Sequence, residues 1–146
     1  MLVRLLYASR TENKISAADA DSIIRIARDY NPSHGITGIL CYTGNLYLQV
    51  LEGGRTEVNE LYARIVGDER HKDMTLLDYE EIVERRFAAW SMGRVNLGKQ
   101  NPSLLLKYAE RPALDPFALS GKAALALLDE LLSTAAVITR SDVAQS

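Results

Sequence analysis

A single amide interrupts a stretch that otherwise has the composition of a buried β-strand. Residues 45–53 read Asn-Leu-Tyr-Leu-Gln-Val-Leu-Glu-Gly, so the stretch is apolar on both faces except at Gln49. Leu or Val would suit a strand better, and burying an amide without a partner costs roughly 1–3 kcal/mol. Gln49 therefore predicts a polar partner inside the domain; the alternative is a structural amide that bonds a neighbouring backbone group. Because an amide carries a donor and an acceptor, it can also reverse its hydrogen bonds by rotating or tautomerising.

Composition limits the classes of function. The 146 residues are 47% hydrophobic and 25% charged, with a net charge of −2, which is typical of one globular domain. That balance gives no electrostatic reason to bind nucleic acid or an anionic membrane, and we expect neither partner. One cysteine, Cys41, rules out an internal disulfide and favours a cytoplasmic location. His71 has no second ligand at metal spacing, so we predict no metal site.

The pattern of apolar residues predicts a β-α-β-β-α-β-β order. Alternating stretches predict strands, and stripes with a spacing of three and four predict helices. The predicted strands are Leu2–Ser9, Ile36–Thr43, Asn45–Glu52, Met74–Val83 and Trp90–Leu97, and the predicted helices run from Ser16 to Asn31 and from Thr56 to Gly67. This order favours an α+β, ferredoxin-like fold, in which a mixed sheet carries both helices on one face.

The other face of the sheet also needs a cover, because Leu46, Leu48 and Val50 point away from the two helices. Asn101-Pro102 and Asp115-Pro116 each place a capping residue before a proline, which is typical of a helix start. We therefore predict helices at Pro102–Ala109 and Pro116–Ala135. They would form a C-terminal helical hairpin on the back of the sheet.

Polar residues that a plain core does not require converge on the first face. If both helical stripes face the sheet, a slot opens between the helices. Its predicted floor is Tyr7 and Gln49, its walls Ile23 and Ile65, its end Asn31, and its mouth Arg70. Apolar walls suit a flat ring, amides and a hydroxyl suit the edge of that ring, and an arginine at the mouth suits a phosphate.

The chain resembles the BLUF family, the blue-light sensors that use FAD. The resemblance rests on motifs that follow one another in register over residues 2–97. These motifs are Leu6-Tyr7-Ala8-Ser9, Asn31, Ile36-Thr37-Gly38-Ile39-Leu40, Gln49-Val50-Leu51-Glu52-Gly53, Asp68-Glu69-Arg70-His71, Arg86-Phe87 and Trp90-Ser91-Met92-Gly93. Their common order over two-thirds of the chain is more specific than any single one of them.

The resemblance implies a photochemical mechanism. Tyr7 would give an electron and a proton towards the excited flavin, and Gln49, between them, would rotate or change tautomer. Trp90 and Met92 would pass the change outward, although each can equally be a plain core residue. The implied FAD-binding residues are Tyr7, Ser9, Ile23, Asn31, Gln49, Ile65, Asp68, Arg70 and His71.

The resemblance also implies a domain division and an output. Residues 1–98 would form the flavin-binding domain, 99–136 the helical hairpin and 137–146 a tail. The C-terminal hairpin resembles that of the short BLUF type, which has no enzymatic effector domain, so we expect no enzyme activity. The signal would go to a separate downstream protein, and we expect a homo-oligomer. Two alternatives stay open: a flavin-binding interaction domain without a photocycle, and a small hydrolase similar to acylphosphatases.

Overall fold

A five-stranded mixed sheet is the centre of the fold in the computed structural model, which describes residues 1–133. The strands are β1 Leu2–Arg10, β2 Thr37–Thr43, β3 Leu46–Gly54, β4 Lys72–Ile82 and β5 Gly93–Asn96. The α-helices are α1 Ala17–His34, α2 Arg55–Val66, α3 Pro102–Leu106 and α4 Gly121–Leu132. The strand order is β4-β1-β3-β2-β5, antiparallel throughout except for the parallel pair β2 and β5. The predicted ferredoxin-like α+β order is confirmed.

The two faces of the sheet bury two separate apolar clusters. On the front face, Leu5 and Leu51 pack with Ile24 of α1 and Val58 of α2. The back cluster joins the sheet to α3 and α4, and its buried residues include Leu6, Ala8, Leu48, Val50, Leu105, Leu127 and Leu128. Because side chains alternate along a strand, one strand supplies both clusters. The prediction that the C-terminal helices cover the back face is confirmed.

Helix α1 begins as predicted but ends later than predicted. The Ser16 side chain accepts a hydrogen bond from the Asp19 backbone, and the Asp19 carboxylate accepts one from the Ser16 backbone. The predicted end at Asn31 is wrong, because the helix continues through Pro32 to His34. A proline in a last turn removes only one helical hydrogen bond. The helix ends where Gly35 takes the left-handed conformation, with φ +66°.

The C-terminal helices are shorter than predicted. Helix α3 ends at Leu106 rather than Ala109, and α4 begins at Gly121 rather than Pro116. Asp115 caps only a turn, whereas the Ser120 hydroxyl accepts a hydrogen bond from the backbone of Ala123. The predicted helix end at Ala135 and the predicted tail at 137–146 lie outside the described residues. Within residues 1–133, no helix is both long and apolar enough to cross a membrane.

Strand β5 is also shorter than predicted. It begins at Gly93, so Trp90 and Met92 precede the strand instead of lying on it. They belong to an irregular segment that follows β4, and the Trp90 carbonyl accepts a hydrogen bond from the backbone of Gly38 next to the start of β2. This segment runs along the edge of the sheet next to α1.

Candidate functional site

A slot of about 220 Å³ opens on the front face, between α1 and α2. Tyr7, Leu40, Gln49 and Met92 form its floor. Its other lining residues are Ile23, Ile26, Ala27, Tyr30, Asn31, Leu61, Arg64, Ile65, Asp68, Arg70 and His71. The structure therefore brings together eight of the nine predicted FAD-binding residues; the ninth, Ser9, does not line the slot.

A chain of buried hydrogen bonds crosses the floor of the slot. Tyr7 and Gln49 lie directly opposite each other on β1 and β3. The Tyr7 hydroxyl donates to Gln49 Oε1, and Gln49 Nε2 donates to Met92 Sδ at 3.4 Å. The partner that the sequence predicts for Gln49 is thus a phenol and not a backbone group. A thioether is a weak acceptor, so the amide nitrogen keeps capacity for a stronger acceptor in the slot.

The Tyr7 phenol is held in its neutral form. Its ring is buried, and burial, with a smaller contribution from the nearby Tyr47 and Tyr62, raises the pKa of the Tyr7 hydroxyl well above its ordinary value. The Tyr62 ring lies 5.6 Å from the Tyr7 ring, centroid to centroid. The hydroxyl therefore keeps its proton and can donate it along the floor of the slot.

Asn31 closes one end of the slot and has an unused acceptor. Its Nδ2 donates to the Ser91 carbonyl at 2.7 Å, which ties α1 to the segment before β5. Its Oδ1 is buried and has no hydrogen-bond partner in the described part of the chain. A buried carbonyl without a donor is costly, so this atom indicates a ligand that supplies an N–H group. The flavin ring has such a group, N3–H between two carbonyls, on its polar edge.

The mouth of the slot is polar. Arg70 donates hydrogen bonds to both carboxylate oxygens of Asp68, the shortest from Arg70 Nη2 to Asp68 Oδ2 at 2.6 Å. These hydrogen bonds lower the pKa of Asp68 to about 2. The Arg70 side chain is otherwise exposed. The pair can exchange for an Arg70–phosphate pair if a ligand phosphate reaches the mouth.

Ser9 does not line the slot but forms a hydrogen bond with His71, which does. Its hydroxyl lies 2.8 Å from His71 Nδ1, and Ser9 itself is fully buried. Burial lowers the pKa of His71, which is half-buried at the slot, while Asp68 opposes that shift. At neutral pH the imidazole is therefore neutral and oriented by Ser9.

The two predicted signalling residues lie on opposite faces of the sheet. Met92 belongs to the front cluster and contacts Gln49 directly. Trp90 packs against the back cluster, on the side that α4 covers. Sequence reasoning did not include Leu40, which lines the floor beside Gln49. The hairpin register around Gly44 places Leu40 opposite Gln49 and could have identified it.

A second cavity, of about 440 Å³, adjoins the slot and shares Ile23, Arg70 and His71 with it. Lys14 and Lys72 add positive charge to its lining, whereas Glu12, Asp19 and Glu69 add negative charge. The cavity is larger and more polar than the slot, so it suits the polar extension of a ligand whose ring lies in the slot.

Comparison with known proteins identifies the family. The profile described as BLUF, sensors of blue-light using FAD, matches residues 2–93. The chain belongs to the BLUF family. A structure described as the BlsA photo-activated state has a TM-score of 0.83 and 33% identity, over 95% of this chain and 100% of that one. The dark-state structure of BlrB, a BLUF protein, has a TM-score of 0.73 and 37% identity, over 90% and 94% of the two chains.

A similar curated protein is much longer. The photoactivated adenylate cyclase subunit alpha of Euglena gracilis is 40% identical over 88 residues, which are 60% of this chain and 9% of that subunit. The chain thus spans about a tenth of the length of that relative. The likeness concerns the BLUF region, so the cyclase activity in that name is not assigned here. Membership of the family makes flavin the class of cofactor, as the sequence predicts.

Proposed function

We propose that this protein is a blue-light receptor that binds FAD non-covalently between α1 and α2 and uses Tyr7 and Gln49 as its switch. The observation that carries the proposal is the buried chain from the Tyr7 hydroxyl through the Gln49 amide to Met92 Sδ. It places a redox-active phenol and a reversible amide side by side on the floor of a slot that fits a flat ring. A core without a ligand would need neither.

The residues perform the proposed switch in three steps. When bound, flavin would supply the absorption of blue light and, once excited, the acceptor for one electron. Tyr7 supplies that electron and releases its hydroxyl proton to Gln49 Oε1, which already accepts its hydrogen bond. The Gln49 amide then rotates or changes tautomer, and electron and proton return to Tyr7. Nothing is consumed, and the amide keeps a new set of hydrogen bonds.

Asn31 and the mouth of the slot would fix the cofactor. The unpaired Oδ1 of Asn31 accepts a hydrogen bond from the N–H on the polar edge of the ring. Arg70 leaves Asp68 and binds phosphate, next to the neutral His71. The adjoining cavity of about 440 Å³ favours FAD over FMN, because the dinucleotide has a second phosphate and an adenosine to place there.

The output would reach a separate protein. We place this chain upstream of a downstream signalling partner, with a homo-oligomer as the form that light rearranges. Helix α4 is the proposed contact surface, because it covers the sheet face opposite the slot. Trp90 packs on that same side of the sheet.

The test uses purified protein in the dark and under blue light. We expect a yellow protein that releases FAD on denaturation, as identified by chromatography, and an absorption band that shifts under blue light and returns in the dark. Release of FMN would contradict the choice of FAD. A yellow protein without a shift would indicate a flavin-binding interaction domain, and a colourless protein would favour the hydrolase alternative.

A further inference from the structure

A buried carboxylate lies on the same strand as the switch. Glu52 follows Gln49 by three residues on β3, so its side chain points to the back face while that of Gln49 points into the slot. The two strands pair Tyr7 with Gln49 and Arg4 with Glu52. The Glu52 side chain has no solvent exposure. The photochemical mechanism uses neither Glu52 nor Arg4.

Glu52 holds a distant part of the chain. Its Oε2 accepts from Arg4 Nε at 2.8 Å and from the Arg86 backbone N–H at 3.1 Å. Its Oε1 accepts from the Phe87 backbone N–H at 2.7 Å. Hydrogen bonds to an ionised carboxylate are about twice as strong as neutral ones. The turn at 86–87 is therefore fastened to β3 by charge, and not only by packing.

The fastened segment connects α4 with the slot. At its first end, Phe87 is fully buried in the cluster that α4 covers, and the Arg86 side chain forms an ion pair with Asp129 of α4. At its other end, the Ser91 carbonyl accepts from Asn31, and Met92 Sδ accepts from Gln49. Residues 86–92 thus form one short path with the switch at one end and the output helix at the other.

We infer that Glu52 is a positioning residue for signal output: it anchors the turn at 86–87, so that a displacement of Met92 reaches α4. The inference rests on the proposed light switch. When the Gln49 amide reverses, the hydrogen bond to Met92 Sδ is replaced and residues 91–92 move. Without its anchor, the turn at 86–87 would absorb that movement. With the anchor, the movement is passed to α4 through the Arg86 and Phe87 contacts.

The test measures hydrogen exchange of the full-length, flavin-loaded protein in the dark and under continuous blue light. In the wild type we expect light to change exchange both at 91–92 and in α4. Glu52→Gln retains the shape of the side chain but removes its charge and one of the two oxygens that accept from the backbone N–H groups of Arg86 and Phe87. We expect this variant to retain the spectral shift and the change at 91–92, and to lose the change in α4.

Glu80→Gln is the matched control. Glu80 also pairs with Arg4, at 2.7 Å, but its side chain is 45% exposed and it accepts no hydrogen bond from the 86–87 turn in the described residues. This variant should keep the light-dependent change in α4. Equal losses in both variants would overturn the inference, because they would trace the effect to Arg4 and not to the anchored turn.

Asp129→Asn is a second variant, at a position on the protein surface. It tests the contact between the 86–87 segment and α4 if Glu52→Gln does not retain flavin. It removes the ion pair with Arg86 and should weaken the light-dependent change in α4. An undiminished change in Glu52→Gln would overturn the inference, and if that variant does not retain flavin, an undiminished change in Asp129→Asn would overturn it. A wild type with a spectral shift but no change in α4 would overturn it too, while leaving the proposed switch in place. A wild type without a spectral shift would overturn both.

Discussion

The Tyr7 hydroxyl donates to the Gln49 amide oxygen from the position directly opposite on the neighbouring strand. This bond fixes the amide with its oxygen towards the phenol and its nitrogen towards Met92. A hydroxyl can also accept a hydrogen bond, so the opposite orientation of the amide can be satisfied as well. The pair therefore has two hydrogen-bonded arrangements, which is what a switch requires.

Tyr7→Phe should retain flavin and lose the reversible spectral shift. The ring keeps its packing in the front cluster, but the hydroxyl that donates to Gln49 is gone. The loss of one buried hydrogen bond should lower the free energy of unfolding by about 0.5–1.5 kcal/mol. Difference spectra before and after blue light provide the measurement. Tyr62→Phe, whose ring lies 5.6 Å from that of Tyr7, is the control and should shift normally. An intact shift in Tyr7→Phe would remove Tyr7 from the mechanism.

Gln49→Leu should fold and bind flavin but form no normal lit state. Leucine suits the strand, yet it leaves the buried Tyr7 hydroxyl without its acceptor. We expect the free energy of unfolding to fall by about 1–3 kcal/mol. The double variant Tyr7→Phe with Gln49→Leu should lose less than the sum of the two single losses, because neither partner is left unpaired. Chemical unfolding of the four proteins gives the coupling, and a full light cycle in Gln49→Leu would contradict the amide switch.

The sequence was sufficient to predict the two polar residues on the floor of the slot, Tyr7 and Gln49. Strand alternation places Tyr7 on one face of β1 and Gln49 on one face of β3, and the ferredoxin-like order makes these strands neighbours. The single amide in an apolar strand was the decisive signal, because only a buried partner explains it. Apolar periodicity likewise predicted that α1 and α2 share a face.

The positions of Trp90 and of the C-terminal helices could not be predicted in the same way. Trp90 lies in an irregular segment, where no strand alternation assigns a face, and the structure places it on the back cluster. The start of α4 depends on a tertiary contact: a side chain at Gly121 would collide with the Leu77 carbonyl of β4. Local capping signals at Asp115 and Ser120 alone do not decide between the two starts.

Asn31→Ala should weaken flavin binding by about tenfold. The variant removes the unpaired Oδ1, which we assign to the ring N–H, and the donor to the Ser91 carbonyl. One hydrogen bond of about 1–1.5 kcal/mol corresponds to roughly that factor in the dissociation constant. Titration of the flavin-free protein with FAD measures it. Asn59→Ala on α2 is the control, because its amide donates to the Arg55 carbonyl and the Tyr79 hydroxyl. An unchanged affinity of Asn31→Ala for FAD would exclude Asn31 from the binding site.

Met92→Leu should change the lifetime of the lit state, whereas Trp90→Phe should leave that lifetime nearly unchanged. Met92 Sδ accepts from Gln49 Nε2, so leucine removes one of the two partners that hold the amide in the dark orientation. Trp90 lies on the back cluster and makes no hydrogen bond to Gln49 in the described residues. Dark recovery of the spectral shift after a light pulse provides the measurement. Equal recovery rates in Met92→Leu and the wild type would show that the thioether does not restrain Gln49.

The stability of the protein should fall on acidification through about pH 6.5 because of His71. Burial lowers the folded-state pKa of His71 from its ordinary value of 6.5. As the pH falls below that value, the unfolded chain binds the proton first, so protonation favours unfolding. This contribution is absent at higher pH and levels off once the pH is below the folded-state pKa. Urea unfolding at about pH 7.5 and about pH 5.5 compares the two protonation states.

His71→Gln should lose this part of the pH dependence, and His34→Gln, at the only other histidine, should retain it. If His71→Gln has the same pH dependence as the wild type, the half-buried imidazole bonded to Ser9 does not titrate in this range.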